Sequence, residues 1–489
     1  MLIRFVCCSL FFWLAVSSSA AQSIIESAEC HEKPYGFTSS CGYVTLPQDY
    51  DEPTGSRIQI YYTLIQSRNP QPKPDPLVYL VGGPGSSGSE ILLTSFHAYL
   101  HAFAADRDII VLDQRGTGLS NPPLYCREVL SRIDEILQSR HQEHAELILS
   151  ILRQCHARLS RDDIQFDTFH SQNNARDVVN VLLALGYERW NLVGVSYGSR
   201  LALAMMRDHP QYLRSVILDS VYPPQADIYL DVYYSSERAL NVLFDACMAS
   251  ESCNERYPQL DRAFYELYHR LNAAPMTAQY TPPRYKTLTI EISGYRLYDW
   301  VFSWLYAVDS IQAIPRLIYD LRQGQPQDAV RLGANHEALM TWLSLGMHYT
   351  VQCQEEYISA LDRDYAGIIA AYPHLSGYLG YPVEGADTIQ QLCDLWQAEA
   401  RPPIANSPVE SDIPTLLLSG NFDPITPPAY ADLAHETLST SYNFVLPHVG
   451  HGVLRSDDCA LSIALDFITS PSAEPDSHCI AQTQAIVFD

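Results

Sequence analysis

Six short apolar runs punctuate the chain: Leu77 to Val81, Ile109 to Leu112, Leu192 to Val195, Val216 to Leu218, Thr415 to Leu418 and Phe444 to Leu446. Each has the length and continuity of a strand buried on both faces. Helical patterns separate many of them. One is "NNARDVVNVLLALG", Asn173 to Gly186, with Gly186 as the expected C-terminal stop. Strands alternating with helices predict βαβ units and a mainly parallel central sheet with helices on both faces. Two earlier segments, "CGYVTLPQDY" from Cys41 and "RIQIYYTLIQS" from Arg57, alternate instead. They predict an antiparallel hairpin at the sheet edge.

From Pro224 to Ser411 the strand rhythm disappears and helical patterns rich in aromatics take over. Leu297, Trp300, Val301, Trp304 and Leu305 share one helical face, and Tyr298, Phe302 and Tyr306 make a second stripe. Such a helix is buried on both sides or lines a pocket, and core packing is the expectation for both stripes. "DSIQAIPRLIYDLRQG" predicts a further helix, with Asp309 or Ser310 as N-cap and Gly324 as stop. The sheet rhythm resumes at "IPTLLLSG". The expected organisation is a core from 22 to 223, a largely helical insertion from 224 to 411, and the rest of the core from 412 to 489.

Residues 1–21 read as a secretory signal: Arg4, the apolar stretch "FVCCSLFFWLAV", then small residues near Ala21. A membrane anchor needs about 20 consecutive apolar residues, and no later segment reaches that, so no membrane span is expected in the mature chain. Of the twelve cysteines, Cys7 and Cys8 fall in the signal, which leaves an even set. Behind a signal peptide, such a set implies disulfides in an oxidising compartment, secreted or periplasmic. Neighbours in sequence pair most simply as 30–41, 126–155, 247–253, 353–393 and 459–479, although spacing does not fix connectivity. No C-x-x-C occurs and no Cys/His cluster has zinc-site spacing, so no metal is expected.

Composition narrows the function. The 489 residues are 47% hydrophobic and only 18% charged, enough for a large core plus an additional domain. A net charge of −25 argues against nucleic acid as a partner and fits a solvated acidic surface that attracts cationic groups.

Chemistry concentrates at "NLVGVSYGSRLAL", where Gly194-x-Ser196-x-Gly198 joins an apolar strand to a helix. This is the nucleophile-elbow pattern, in which a sharp turn lifts a serine hydroxyl clear of the sheet. Such a serine needs a histidine base and a carboxylate to orient it, following it in the order serine, acid, histidine. Asp423 in "LLLSGNFDPITPP" and His451 in "NFVLPHVGHGVL" each stand just past a strand. Parallel strands deliver their C-terminal ends to one sheet edge, so the three converge there. His448 competes as base, and Asp219, at the end of "SVILD", competes as acid. His451 is preferred for its flanking Gly450 and Gly452, and Asp423 for its loop position before Pro424. An oxyanion hole is expected from the Gly-rich turn in "LVYLVGGPGSSG", with Gly83 as one donor and Tyr197 as the other. The Gly-Lys-Ser/Thr ending of a phosphate-binding loop is absent from that turn.

Five segments in order, "GGPG" at Gly82, "DQRGTGLS" at Asp113, "GVSYGSR" at Gly194, "GNFDPITP" at Gly420 and "GHG" at Gly450, resemble the α/β-hydrolase serine peptidases. The similarity is to the proline iminopeptidases and, more closely, to the secreted tripeptidyl aminopeptidases. It covers both ends of the chain and the insertion only loosely. The resemblance implies a secreted serine exopeptidase acting on peptides with free N-termini, with a helical cap and without a cofactor. It matches Ser196, Asp423 and His451 to a triad and gives Asp113 and Arg115 a structural ion-pair role. It also implies that cap acids hold the substrate ammonium; Glu355 and Glu356 in "VQCQEE" are the candidates. Two other readings use the same residues: a secreted esterase or lipase-like hydrolase, and a non-catalytic binding protein on this fold.

Overall fold

Five of the six apolar runs fold as strands covered on both faces, and Phe444 to Leu446 ends a partly exposed strand at the sheet edge, in the computed structural model, which describes residues 24–31, 33–162, 164–282, 286–339, 343–357, 365–376, 386–396, 399 and 401–489. The leader expected at residues 1–21 lies outside the described residues. β1 (Ile24–Ala28), β2 (Ser39–Pro47), β3 (Arg57–Ile65), β4 (Leu77–Leu80), β5 (Ile109–Leu112), β6 (Trp190–Val195) and β7 (Leu213–Asp219) precede a long intervening segment. That segment carries β8 (Met276–Tyr280) and β9 (Leu288–Ile292), and β10 (Thr415–Gly420) and β11 (Ser441–Leu446) follow it. All but β8 and β9 join one nine-stranded sheet in the order β1-β2-β3-β5-β4-β6-β7-β10-β11. Pairing is parallel from β5 to β11 and antiparallel among β1, β2, β3 and β5. The edge hairpin is therefore β2–β3, and β1 adds an outer strand that the sequence pattern does not announce.

Side chains alternate across each strand, which explains why the buried runs are apolar throughout. Val78, Leu192, Val216 and Leu417 pack on one face with Leu182 and Leu201 of the helices Ser171–Ala184 and Tyr197–Asp208. Tyr79, Val193, Ile217 and Leu416 face the other way, against Ile463 and Phe467 of the helix Asp458–Thr469. The chain runs from β4 outward to β5, then returns across β4 to β6. That reversal opens a crevice at the carboxyl ends of β4 and β6.

β7 and β10 are parallel neighbours, so the residues between them form an insertion into the sheet's connectivity. The helices Ile228–Ala249, Leu260–Ala273, Gly294–Trp304 and Val308–Arg322 build a separate apolar cluster there, including Leu267, Leu297, Val301 and Leu317. The two expected stripes divide. Leu297, Trp300, Val301, Trp304 and Leu305 are buried, as is Tyr298, whereas Phe302 and Tyr306 stay partly exposed. The helix expected to start at Asp309 or Ser310 starts at Val308 with Ala307 as its N-cap. Asp309 then lies in the first turn, where its charge suits the helix dipole. The β8–β9 hairpin is a second element missed by the helical reading.

Disulfides join Cys30–Cys41, Cys126–Cys155, Cys247–Cys253, Cys353–Cys393 and Cys459–Cys479, the neighbour pairing expected from the sequence. Among the described residues, no helix is long and apolar enough to cross a membrane.

Candidate active site

Ser196 sits between β6 and the helix Tyr197–Asp208 with φ 58° and ψ −125°. A serine at positive φ costs about 1–3 kcal/mol and persists only where its surroundings impose it. Here its N–H donates to the Asp219 carbonyl at 3.0 Å. Its own carbonyl accepts from the Ser199 N–H at 2.8 Å and the Ser199 hydroxyl at 2.6 Å. The flanking glycines serve packing. A Cβ on Gly194 would strike the Gly198 backbone, and one on Gly198 would strike the carbonyl of Leu80 in β4.

Asp423 follows β10 and His451 follows β11. The His451 Nδ1 lies 2.8 Å from Asp423 Oδ2, with the aspartate fully buried. Asp423 also accepts the N–H groups of Ile425 and Thr426, both at 2.9 Å, and the Thr426 hydroxyl at 2.7 Å. Burial alone would raise its pKa, but the His451 ring and the Thr426 hydrogen bonds outweigh that and hold it below the ordinary carboxylate value. Since the carboxylate accepts, Nδ1 carries the proton and Nε2 is left as the basic nitrogen. Behind the histidine, the Tyr306 carbonyl accepts the His451 N–H at 3.0 Å, and the Tyr306 ring lies 4.8 Å from the imidazole. Gly450 fits against the Leu305 and Tyr306 carbonyls, where a Cβ has no room.

The competing residues have other partners. The Asp219 carboxylate accepts the N–H groups of Val453 at 2.7 Å and Leu454 at 3.0 Å. Ser220, itself at φ 55°, accepts the Gly452 N–H at 2.7 Å. Asp219 and Ser220 thus tie the serine turn to the histidine loop. It is Asp423, and not Asp219, that touches the imidazole. For His448, partial burial lowers the pKa against the pull of Asp457.

The Gly-rich turn after β4 lies against the serine: a Cβ at Gly82 would sit 3.4 Å from Ser196 Oγ. Gly83 has φ +115°, and a Cβ there would press on the Gly85 and Ser86 nitrogens. The turn is braced by the insertion. Ser344 N–H donates to Gly85 O at 2.9 Å, and His348 Nδ1 donates to Pro84 O at 3.0 Å. Tyr197 opens the elbow helix, with its hydroxyl 2.8 Å from Ser171 Oγ.

Of the two residues expected in structural ion pairs, Arg115 is in one and Asp113 is held by neutral donors instead. Arg115 pairs with Asp177 at 2.7 Å, and Asp113 accepts from Ser87, from Ser89 and from the Leu119 N–H. Burial raises the Asp113 pKa against the pull of those donors.

Glu355 and Glu356 are both buried. Glu355 accepts the Ser171 N–H at 2.6 Å and the Ser171 hydroxyl at 2.8 Å. Arg200, one turn beyond Ser196 on the elbow helix, lies 3.3 Å from Glu355 and 3.0 Å from Glu356. Burial pushes Glu356 up to about 7, with Glu355 and Asp227 adding to the rise and Arg200 and Tyr222 opposing it. Of the other residues around the site, sequence reasoning missed Thr426, Ser220, Arg238, Tyr306, Ser344 and His348. Thr426 alone had a signal, since an aspartate commonly caps the N–H groups two and three residues on. The others come from distant segments with no shared pattern.

Similarity to known proteins follows the same geography. A family model described as the alpha/beta hydrolase fold matches residues 75–278, and one described as TAP-like protein matches residues 381–479. A tripeptidyl aminopeptidase of Streptomyces coelicolor is 29% identical over 213 residues, covering 42% of this chain and 38% of that protein. The serine protease Hip1 of Mycobacterium tuberculosis is 29% identical over 196 residues, covering 38% of this chain and 36% of Hip1. A proline iminopeptidase of Xylella fastidiosa is 28% identical over 167 residues, covering 34% of this chain and 36% of that enzyme. The chain thus spans under two fifths of the length of these curated relatives.

Proposed function

We propose that this chain, an α/β hydrolase related to serine peptidases, is a secreted serine exopeptidase that cleaves peptides from free N-termini through Ser196, His451 and Asp423. The observation that carries the reading is the 2.8 Å contact between His451 Nδ1 and Asp423 Oδ2 at the sheet edge where the strained Ser196 turn emerges. In this mechanism His451 Nε2 takes the Ser196 hydroxyl proton as the oxygen attacks the scissile carbonyl. The amides of Gly83 and Tyr197 hold the resulting oxyanion, each worth about 3 kcal/mol in such sites. The C–N bond breaks as His451 returns the proton to the leaving amine. Water, activated by the same histidine, then releases the acyl group.

Free N-termini are favoured because two carboxylates, Glu355 and Glu356, share the single guanidinium of Arg200. The Glu356 pKa is raised to about 7, so the cluster gains its excess of negative charge as the pH rises through that value, and the ionised cluster one helical turn behind the nucleophile draws an ammonium group. The five disulfides and the apolar leader support an extracytoplasmic location.

The test is a substrate panel with Ser196→Ala as control. Free-amine peptidyl amides should be cleaved by the wild type, and N-acetylated ones should not. Cleavage of simple esters in place of free-amine peptidyl amides would point to an esterase-type hydrolase. Undiminished turnover by Ser196→Ala would end the triad assignment.

A further inference from the structure

The insertion touches all the loops that meet at Ser196. Tyr306 holds the histidine loop, Ser344 and His348 hold the Gly-rich turn, and Arg238 holds the aspartate loop. The first contact is made by a backbone carbonyl and the second by two residues together. The last joins one side chain, Arg238, to the packing of Phe422 in the insertion's apolar cluster. Arg238 projects from the helix Ile228–Ala249, and its guanidinium donates to Asn421 O at 2.8 Å and to Asp423 O at 2.7 Å.

The covalent structure of the loop makes that contact matter. Asp423 is followed by Pro424, whose nitrogen has no hydrogen. The peptide group between them therefore offers only its carbonyl for hydrogen bonding. On the other side of the residue, the Asp423 N–H is taken by Gly420 O at 3.2 Å. Holding the carbonyl fixes the second peptide plane and, with it, the direction in which the Asp423 side chain leaves the backbone. A guanidinium suits this task because its planar fork reaches two acceptors at once and keeps its charge when half-buried. Burial does lower the Arg238 pKa, and the nearby Asp423 works against that.

We infer that Arg238 is a positioning residue, which orients Asp423 toward His451 by clamping the carbonyls of Asn421 and Asp423 from the insertion. This rests on the triad reading above. The helix Ile228–Ala249 thereby has a part in catalysis without touching the substrate, and the insertion is more than a cover.

The experiment uses the full chain and compares Arg238→Met, Arg238→Lys and Ser196→Ala. Arg238→Met should lower kcat by about 10- to 100-fold, the range expected when a reacting group is displaced by around an ångström. KM should stay within about threefold, because no substrate contact is removed. Loosening the aspartate also withdraws support for the imidazolium, so the acidic limb of the kcat/KM profile should move to lower pH. Arg238→Lys can hold one carbonyl but not both, and it should fall between wild type and Arg238→Met. A purely architectural role would lower Tm while leaving kcat and the acidic limb where they were, and that result overturns the inference. If Arg238→Met does not fold, Arg238→Lys decides: a wild-type kcat and limb refute the clamp, and a shifted limb supports it. Ser196→Ala run in parallel keeps the two failures apart. Full activity in that variant overturns the triad reading itself, whatever Arg238 does.

Discussion

Ser196 donates its backbone N–H to the carbonyl of Asp219, while the carboxylate of the same aspartate holds the N–H groups of Val453 and Leu454 just past His451. One residue at the end of β7 thus sets the distance between the serine turn and the histidine loop. Asp219→Ala should leave two buried N–H groups without acceptors, each costing about 1–3 kcal/mol. The expected result is a large fall in Tm and impaired turnover, with Asp219→Asn milder because one amide oxygen remains. Denaturant melts and steady-state kinetics on both variants check this. An Asp219→Ala protein as stable as wild type would refute the bridging role.

Asp423 should behave differently. Asp423→Asn presents an amide to Nδ1 and favours the wrong imidazole tautomer, which lowers kcat by about 10⁴ in triads of this kind. Stability separates it further. The folded Asp423 pKa lies below its ordinary value. Its stabilising contribution is present above the unfolded value of about 3.9 and is lost as pH falls through the lower folded value. Melting curves taken down into acid should show wild type losing stability below that point and Asp423→Asn losing less. Parallel curves would argue against the ionised, paired aspartate.

Ser196 holds a backbone conformation that glycine adopts without strain. Ser196→Gly should be inactive yet more stable than Ser196→Ala, by about 1 kcal/mol or more. Thermal melts of the two inactive proteins make the comparison free of any effect of lost chemistry. Equal Tm values would mean that the turn is unstrained.

Glu356 carries the opposite pH signature. Its folded pKa is raised to about 7, chiefly by burial. A carboxyl raised on folding binds its proton more tightly in the native state. Its contribution is therefore complete below the unfolded value of about 4.3 and is lost as pH rises through about 7. Glu356→Gln cannot ionise, so its Tm should decline less than that of wild type across that interval. An identical slope in the two proteins would show that Glu356 keeps an ordinary pKa.

Much of this was legible from local pattern. The buried strands announce themselves as unbroken apolar runs, and Gly194, Ser196 and Gly198 mark the elbow because each position has a steric or chemical requirement of its own. Gly186 and Gly324 stop their helices as expected, at positive φ. What stayed hidden depends on partners far along the chain. Arg115 finds Asp177, and the Glu355 carboxylate turns to Ser171 and Arg200. Phe302 and Tyr306 share a stripe with the buried Tyr298, yet they diverge because the helix Gly294–Trp304 ends beside the histidine loop. Periodicity specifies a face, and only tertiary packing decides what lies against it.

The adjacency of β7 and β10 has a consequence for biosynthesis. Asp219 closes one strand and Thr415 opens its neighbour, so the sheet cannot be zipped up until the ribosome has delivered the whole insertion. Closing so long a loop delays folding. A nascent chain that already carries Ser196 lacks the partners proposed for it, Asp423 and His451, until the loops after β10 and β11 have emerged and docked.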